Sequence, residues 1–277
     1  MIAVNPMVSN PWRRIAGIAA LAASCAVRAE EAIQDNSFLI EEAYNQGRGV
    51  VQHIGTFARF NQGGDWATSF TQEWPVPDVR HQLSYTLLGV RLHDDDGSDR
   101  GLGDVAINYR YQLVGDGSAT VALAPRASLL FPTGDEDRGL GSGGVGVQIN
   151  LPTSVVLHPK VVTHFNLGAT WLRGAQNVDG DEADLTAYSV GQSVVGLITP
   201  RFNVLAEIVF NSGQVVSGPG TRERVETLVV NPGVRWAHNL KSGLQIVPGV
   251  AVPVGLGPSS GTRAIFLYLS FEHPFKK

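Results

Sequence analysis

The chain has 277 residues, of which 43% are hydrophobic and 17% charged, with a formal net charge of −4. A sequence pI near 6.0 and the lack of a basic stripe exclude a nucleic-acid binder. Mean hydropathy is +0.02, and no stretch beyond the first thirty residues is apolar enough to cross a bilayer as a helix.

The chain opens with a targeting segment. Arg13 and Arg14 form a positive start, Ile15 to Ala23 a short apolar run, and Val27-Arg28-Ala29 an acceptable cleavage site. The spacing predicts a signal peptide over 1–29 and a mature start at Glu30, with Met7 as an alternative initiator. Cys25 is the only cysteine. A second reading takes Ala22-Ala23-Ser24-Cys25 as a lipobox, although Ala stands where Leu is usual three positions before the cysteine. Otherwise the mature chain lacks cysteine, which fits an oxidising envelope compartment.

Residues 30–48 precede the first strand. Asn36 or Ser37 is placed to cap a short helix through Ala43. Two readings stand side by side for this segment: a plug in the periplasmic mouth of a barrel, or a solvated periplasmic lead.

From residue 49 onward, polarity alternates in short segments. In Asp104 to Val114, Val105, Ile107, Tyr109, Tyr111 and Leu113 share one face, while Asp104, Ala106, Asn108, Arg110 and Gln112 share the other. Strands are expected at 49–60, 65–75, 79–92, 104–114, 119–132, 144–156, 161–173, 185–198, 202–213, 225–238, 243–255 and 262–272. Each is long enough to cross a bilayer when tilted. Short connections rich in Gly, Pro, Asn and Asp, such as 115–118 and 199–201, alternate with longer ones at 61–64, 93–103, 133–143, 174–184, 214–224 and 256–261. Regular sorting of connections by length is the layout of an outer-membrane barrel with short periplasmic turns and longer outer loops. The fold expected for 49–277 is all-β: a transmembrane antiparallel up-and-down β-barrel of about twelve strands with both termini periplasmic. Trp66, Trp74, Trp171, Tyr188, Phe202, Phe210 and Trp236 fall near strand ends, where interfacial aromatics belong.

On the polar parity, Glu73, Arg110, Arg126, His164, Glu207 and Arg235 are the pore-lining candidates, with His53 beside them. Pore-facing charges set selectivity by attracting or repelling ions. If the three arginines share a level, a net positive constriction favours anions such as aromatic carboxylates. The competing reading is that these charges pair and merely fill a small lumen.

Other motifs carry less. The acidic loops 93–99 and 177–184 lack the full spacing of a calcium loop, so no metal and no cofactor is expected. The glycines of 139–144 open no helix and are not a dinucleotide fingerprint. His164 and Ser189 lie on neighbouring strands, but no motif joins them into a hydrolase triad, so no catalytic residue is assigned and the chain is read as a non-enzyme.

Three stretches, Asp35 to Gln46 with Gly49 to Ile54, Leu130 to Asp135 running into Gly139 to Gly143, and Leu269 to Phe275, resemble the meta-pathway phenol-degradation outer-membrane proteins, often called transporters. The resemblance implies a barrel in the outer membrane of a Gram-negative bacterium that passes small, often aromatic, molecules by passive diffusion. The alternative is a closed structural or adhesive barrel whose outer loops bind. The implied partners are outer-membrane lipid, small-molecule solutes and the barrel-assembly machinery, which would read the aromatic closing strand.

Overall fold

A computed structural model describes residues 33, 37–61, 64–94 and 97–275. The expected leader and its cleavage site lie outside the described residues.

Twelve strands run in chain order: β1 Val50–Phe60, β2 Trp66–Pro75, β3 His81–Asp94, β4 Gly97–Tyr111, β5 Val121–Leu123 with Arg126–Phe131, β6 Val145–Asn150 with Thr153–His158, β7 Val161–Gln176, β8 Glu182–Thr199, β9 Phe202–Gly218, β10 Thr221–Trp236, β11 Gln245–Ala251 with Val254–Leu256, and β12 Ala264–Pro274. Each pairs antiparallel with its sequence neighbour. β1 pairs with β12 from Val50↔Pro274 to Phe60↔Ala264, which closes the ring. Closure leaves no sheet edge, the condition for strands to sit in lipid. Three strands are split where Pro125, Pro152 and Pro253 interrupt the ladder, because proline brings no N–H to it.

Burial is inverted relative to a water-soluble sheet. Ile107, Leu129, Val147, Ile149, Phe165, Leu167, Val204, Ile208 and Leu267 are exposed, whereas Asn108, Arg110, His164, Asn203, Glu207, Asn231 and Arg235 are buried. Alternation therefore builds an oily outer wall and a polar interior. The aromatics bracket the wall: His81, Tyr109 and Tyr111 cluster outside near one end, and Trp171 and Tyr188 lie exposed toward the other.

The structure corrects the sequence reading in three places. Most of the expected loops 93–103 and 214–224 is strand: β3 and β4 stay paired out to Asp94↔Gly97, and β9 and β10 out to Gly218↔Thr221. Ser98, Asp99 and Arg100, like Arg222, Glu223 and Arg224, put polar residues at consecutive positions, so the alternation breaks there. Residues 37–46 form no helix. His53 faces outward, stacked on Phe70 and His273, while Gln52 points in. Gln52 and His53 are adjacent and both polar, which left the parity of β1 ambiguous.

Candidate functional site: a polar lumen crossed by the N-terminal segment

The lumen is crossed by the chain preceding β1. Ile33 carbonyl accepts from Asn203 Nδ2 and from Arg235 Nη2 at 3.2 Å, beside the β8–β9 turn. At the other end of the segment, Asn45 Nδ2 donates to Val79 carbonyl in the β2–β3 turn, and Gln46 N–H donates to Gln82 Oε1 at 2.8 Å. The crossing thus lies near the short-turn end.

Between these ends the wall supplies partners that a strand or helix would otherwise provide. Glu207 Oε1 accepts three consecutive N–H groups, from Phe38, Leu39 and Ile40, at 2.8–3.0 Å. Its other oxygen accepts from Asn231 Nδ2 at 2.7 Å. Asn166 accepts the Glu41 N–H and donates to the Glu41 carbonyl. Ser154 accepts the Ala43 N–H, and Gln112 accepts from Asn45 and donates to Ala43. A buried backbone must find such partners, and here they come one by one from the lumen face of six strands or their ends. This is why no helix forms at 37–43: the N–H groups point to Glu207 and its neighbours rather than back along the chain.

Packing reinforces the hydrogen bonds. Phe38 lies against Phe266 and Tyr268, with ring centroids 5.6 and 5.3 Å apart. It also fits over Gly233 and Gly249, where an added Cβ would come within 2.6 Å of the ring. Those two glycines form a recess in the wall shaped for this side chain.

All six pore-lining candidates face inward, though not as a free charged ring. Arg110 is 2% exposed and donates to the carbonyls of Glu42 and Tyr44. It also pairs with Glu41 at 3.1 Å and Glu42 at 3.3 Å. Arg126 pairs with Glu41 Oε2 at 3.1 Å and donates to Gln148 Oε1 at 2.7 Å. Glu73 accepts from Gln82 Nε2 at 2.9 Å. His164 bonds Ser154 Oγ through Nδ1 at 2.8 Å, and the Tyr44 ring meets it edge-on; Ser189 is not its partner. Arg235 holds Ile33, as above. The expected net positive constriction is therefore not what the lumen presents. The arginines meet Glu41 and Glu42 of the crossing segment, with Glu73 and Glu207 on the wall. Sequence reasoning missed Glu41, Glu42, Asn150 and Asn166; the one available signal was the Glu41-Glu42 pair inside the stretch that carries the family resemblance.

Beside the segment the lumen holds a cavity of about 350 Å3. Thr56, Ser69, Thr71, Thr86 and Asn211 give it hydroxyl and amide walls, Leu39, Ile40 and Val209 give it apolar surface, and Glu41, Arg110 and Arg126 lie where the segment meets it. Among the described residues no three His, Cys, Asp or Glu side chains cluster as a metal site would require.

Residues 45–249 match the family model described as "Putative MetA-pathway of phenol degradation". The chain belongs to this family. By structure it is similar to an outer membrane channel from Pseudomonas putida F1, at 15% identity and TM-score 0.62, covering 86% of this chain and 98% of that one. It is also similar to the NanC porin, at 10% identity and TM-score 0.53, covering 82% of this chain and 100% of that one. No curated protein matches the chain by sequence. The family member described here is a twelve-stranded barrel of the outer-membrane type. These two structures that share its fold are a channel and a porin.

Proposed function

We propose that the barrel is a channel for small molecules across the outer membrane, with Ile33 and residues 37–46 as a plug in its lumen. The observation that carries this reading is the open, hydroxyl-lined cavity beside the crossing segment. A purely structural barrel of this size has no need of a vestibule, whereas a solute needs one to enter. Small aromatic molecules are the proposed cargo, a reading supported by the family description. Passage is passive diffusion, with hydroxyl and amide groups along the wall as partners for the solute. The short-turn end is assigned to the periplasm, so the plug sits at the periplasmic mouth and both strand termini lie on that side. The exposed residues of β12 and the exposed Phe275 just after it are the part offered to the assembly machinery.

Single-channel recording tests the proposal. Full-length protein in a planar bilayer should show small, infrequent conductance steps. Deletion of residues 30–46 should give larger and more stable ones. If neither form conducts and neither admits solutes into liposomes, the closed barrel with binding loops replaces the channel reading.

A further inference from the structure

The Glu41 carboxylate sits in a cradle built for a carboxylate. Its Oε1 meets Arg110 Nη1 at 3.1 Å. Its Oε2 meets Arg126 Nε at 3.1 Å and accepts from Asn150 Nδ2 at 2.8 Å. The three groups come from three different strands, β4, β5 and β6, and converge on one carboxylate. Arg110 is 2% exposed, so its charge is fixed in place, whereas Glu41 is 21% exposed and borders the cavity. The same cavity is bordered by Leu39, Ile40 and Val209, apolar side chains that would accept a ring.

We propose that the Arg110–Arg126–Asn150 cradle is a binding site for small aromatic carboxylates, and that Glu41 is the chain's own stand-in for that ligand. A carboxylate arriving from the cavity would take over the two guanidinium contacts and leave Glu41 without its partners, loosening the segment that carries it. Two converging cations with an amide donor suit a carboxylate and give no such gain to a neutral phenol or alcohol. The tethered Glu41 competes at an effective concentration in the millimolar range, so the free ligand binds weakly while Glu41 is in place. The site lies in the lumen assigned above to solute passage and rests on that reading, but binding and conductance are separate measurements and fail separately.

The test uses benzoate, with benzyl alcohol as its neutral counterpart, titrated calorimetrically into full-length protein in detergent. Folding is checked by heat-modifiable gel mobility. Wild-type protein should bind benzoate only at millimolar concentration. Glu41→Ala should bind it at least tenfold more tightly, without a matching gain for benzyl alcohol. Adding Arg126→Gln should abolish the gain. Glu41→Gln, which keeps the shape of the side chain, is the second variant should the alanine form not fold, and it should show the same preference at smaller amplitude. The site is overturned if folded Glu41 variants bind benzoate no better than wild type, bind both probes equally, or keep binding after Arg126→Gln. Tight benzoate binding in a barrel that never conducts would sustain the site and remove its role in passage.

Discussion

The Glu207 carboxylate on β9 accepts the backbone N–H of Leu39 at 2.8 Å, across 168 positions of sequence. Phe38 and Ile40 point their N–H groups at the same oxygen. One buried acid thereby holds a turn of irregular backbone inside a barrel, much as a nest of amides holds an anion.

Glu207→Ala should loosen the crossing segment. Hydrogen bonds to a charged group each contribute about 1.5–3 kcal/mol, and three are lost together, offset by water entering from the cavity. The expected result is faster proteolysis after Arg48 and a several-fold rise in channel open time. Glu207→Gln keeps one acceptor oxygen and should fall between the two. Unchanged open time in the alanine variant would show that the segment is held elsewhere.

Gly249→Val should push Phe38 out of its recess, since even a Cβ there lies 2.6 Å from the ring. Overpacking of this kind costs about 1–3 kcal/mol. Phe38→Ala in the same chain should recover much of that loss, because the clash partner is gone. Thermal melts of the single and double variants in detergent measure both effects.

Depth along the wall should grade the cost of outward charge. Ile107 lies four residues from the end of β4, roughly 13 Å along the strand at about 3.3 Å per residue. Tyr109 lies two residues from that end, among the interfacial aromatics and bonded to His81. Ile107→Arg should therefore cost about 2–4 kcal/mol and Tyr109→Arg about 0–1 kcal/mol. Arg110→Ala, on the inner face next to Tyr109, should cost about 3–5 kcal/mol because it breaks the buried Arg110–Glu42 pair. Urea titrations from liposomes rank the three.

The β9–β10 hairpin turns at Pro219 and Gly220, at the end opposite the crossing segment. An epitope inserted between them should be tolerated and should bind antibody on intact cells. Binding only after the outer membrane is opened would reverse the proposed orientation.

Strand positions in the wall were legible because lipid on one side and a polar lumen on the other force alternation on every segment. Phe165 and Leu167 outside against His164 and Asn166 inside show it at mid-strand in β7. The tips of β3–β4 and β9–β10 were not legible, since consecutive polar residues break the alternation while pairing continues. The inward direction of Arg110, Arg126 and Arg235 followed from parity. Their occupation by the crossing segment did not, because a contact between a side chain and a distant backbone leaves no local spacing to detect. Glu207 could be placed inside, but its task depends on where three amides from residues 38–40 come to rest.

The closure of β1 onto β12 orders the assembly of the molecule. Ile33 and residues 37–46 are made before any strand, yet Asn203, Glu207 and Arg235, which hold one half of them, belong to the ninth and tenth strands. The segment therefore waits for most of the wall before it has anything to bind. Seated there, it gives the final ring closure an internal former to fold around, and a chain lacking it should insert into membranes more slowly even where the finished barrel is stable.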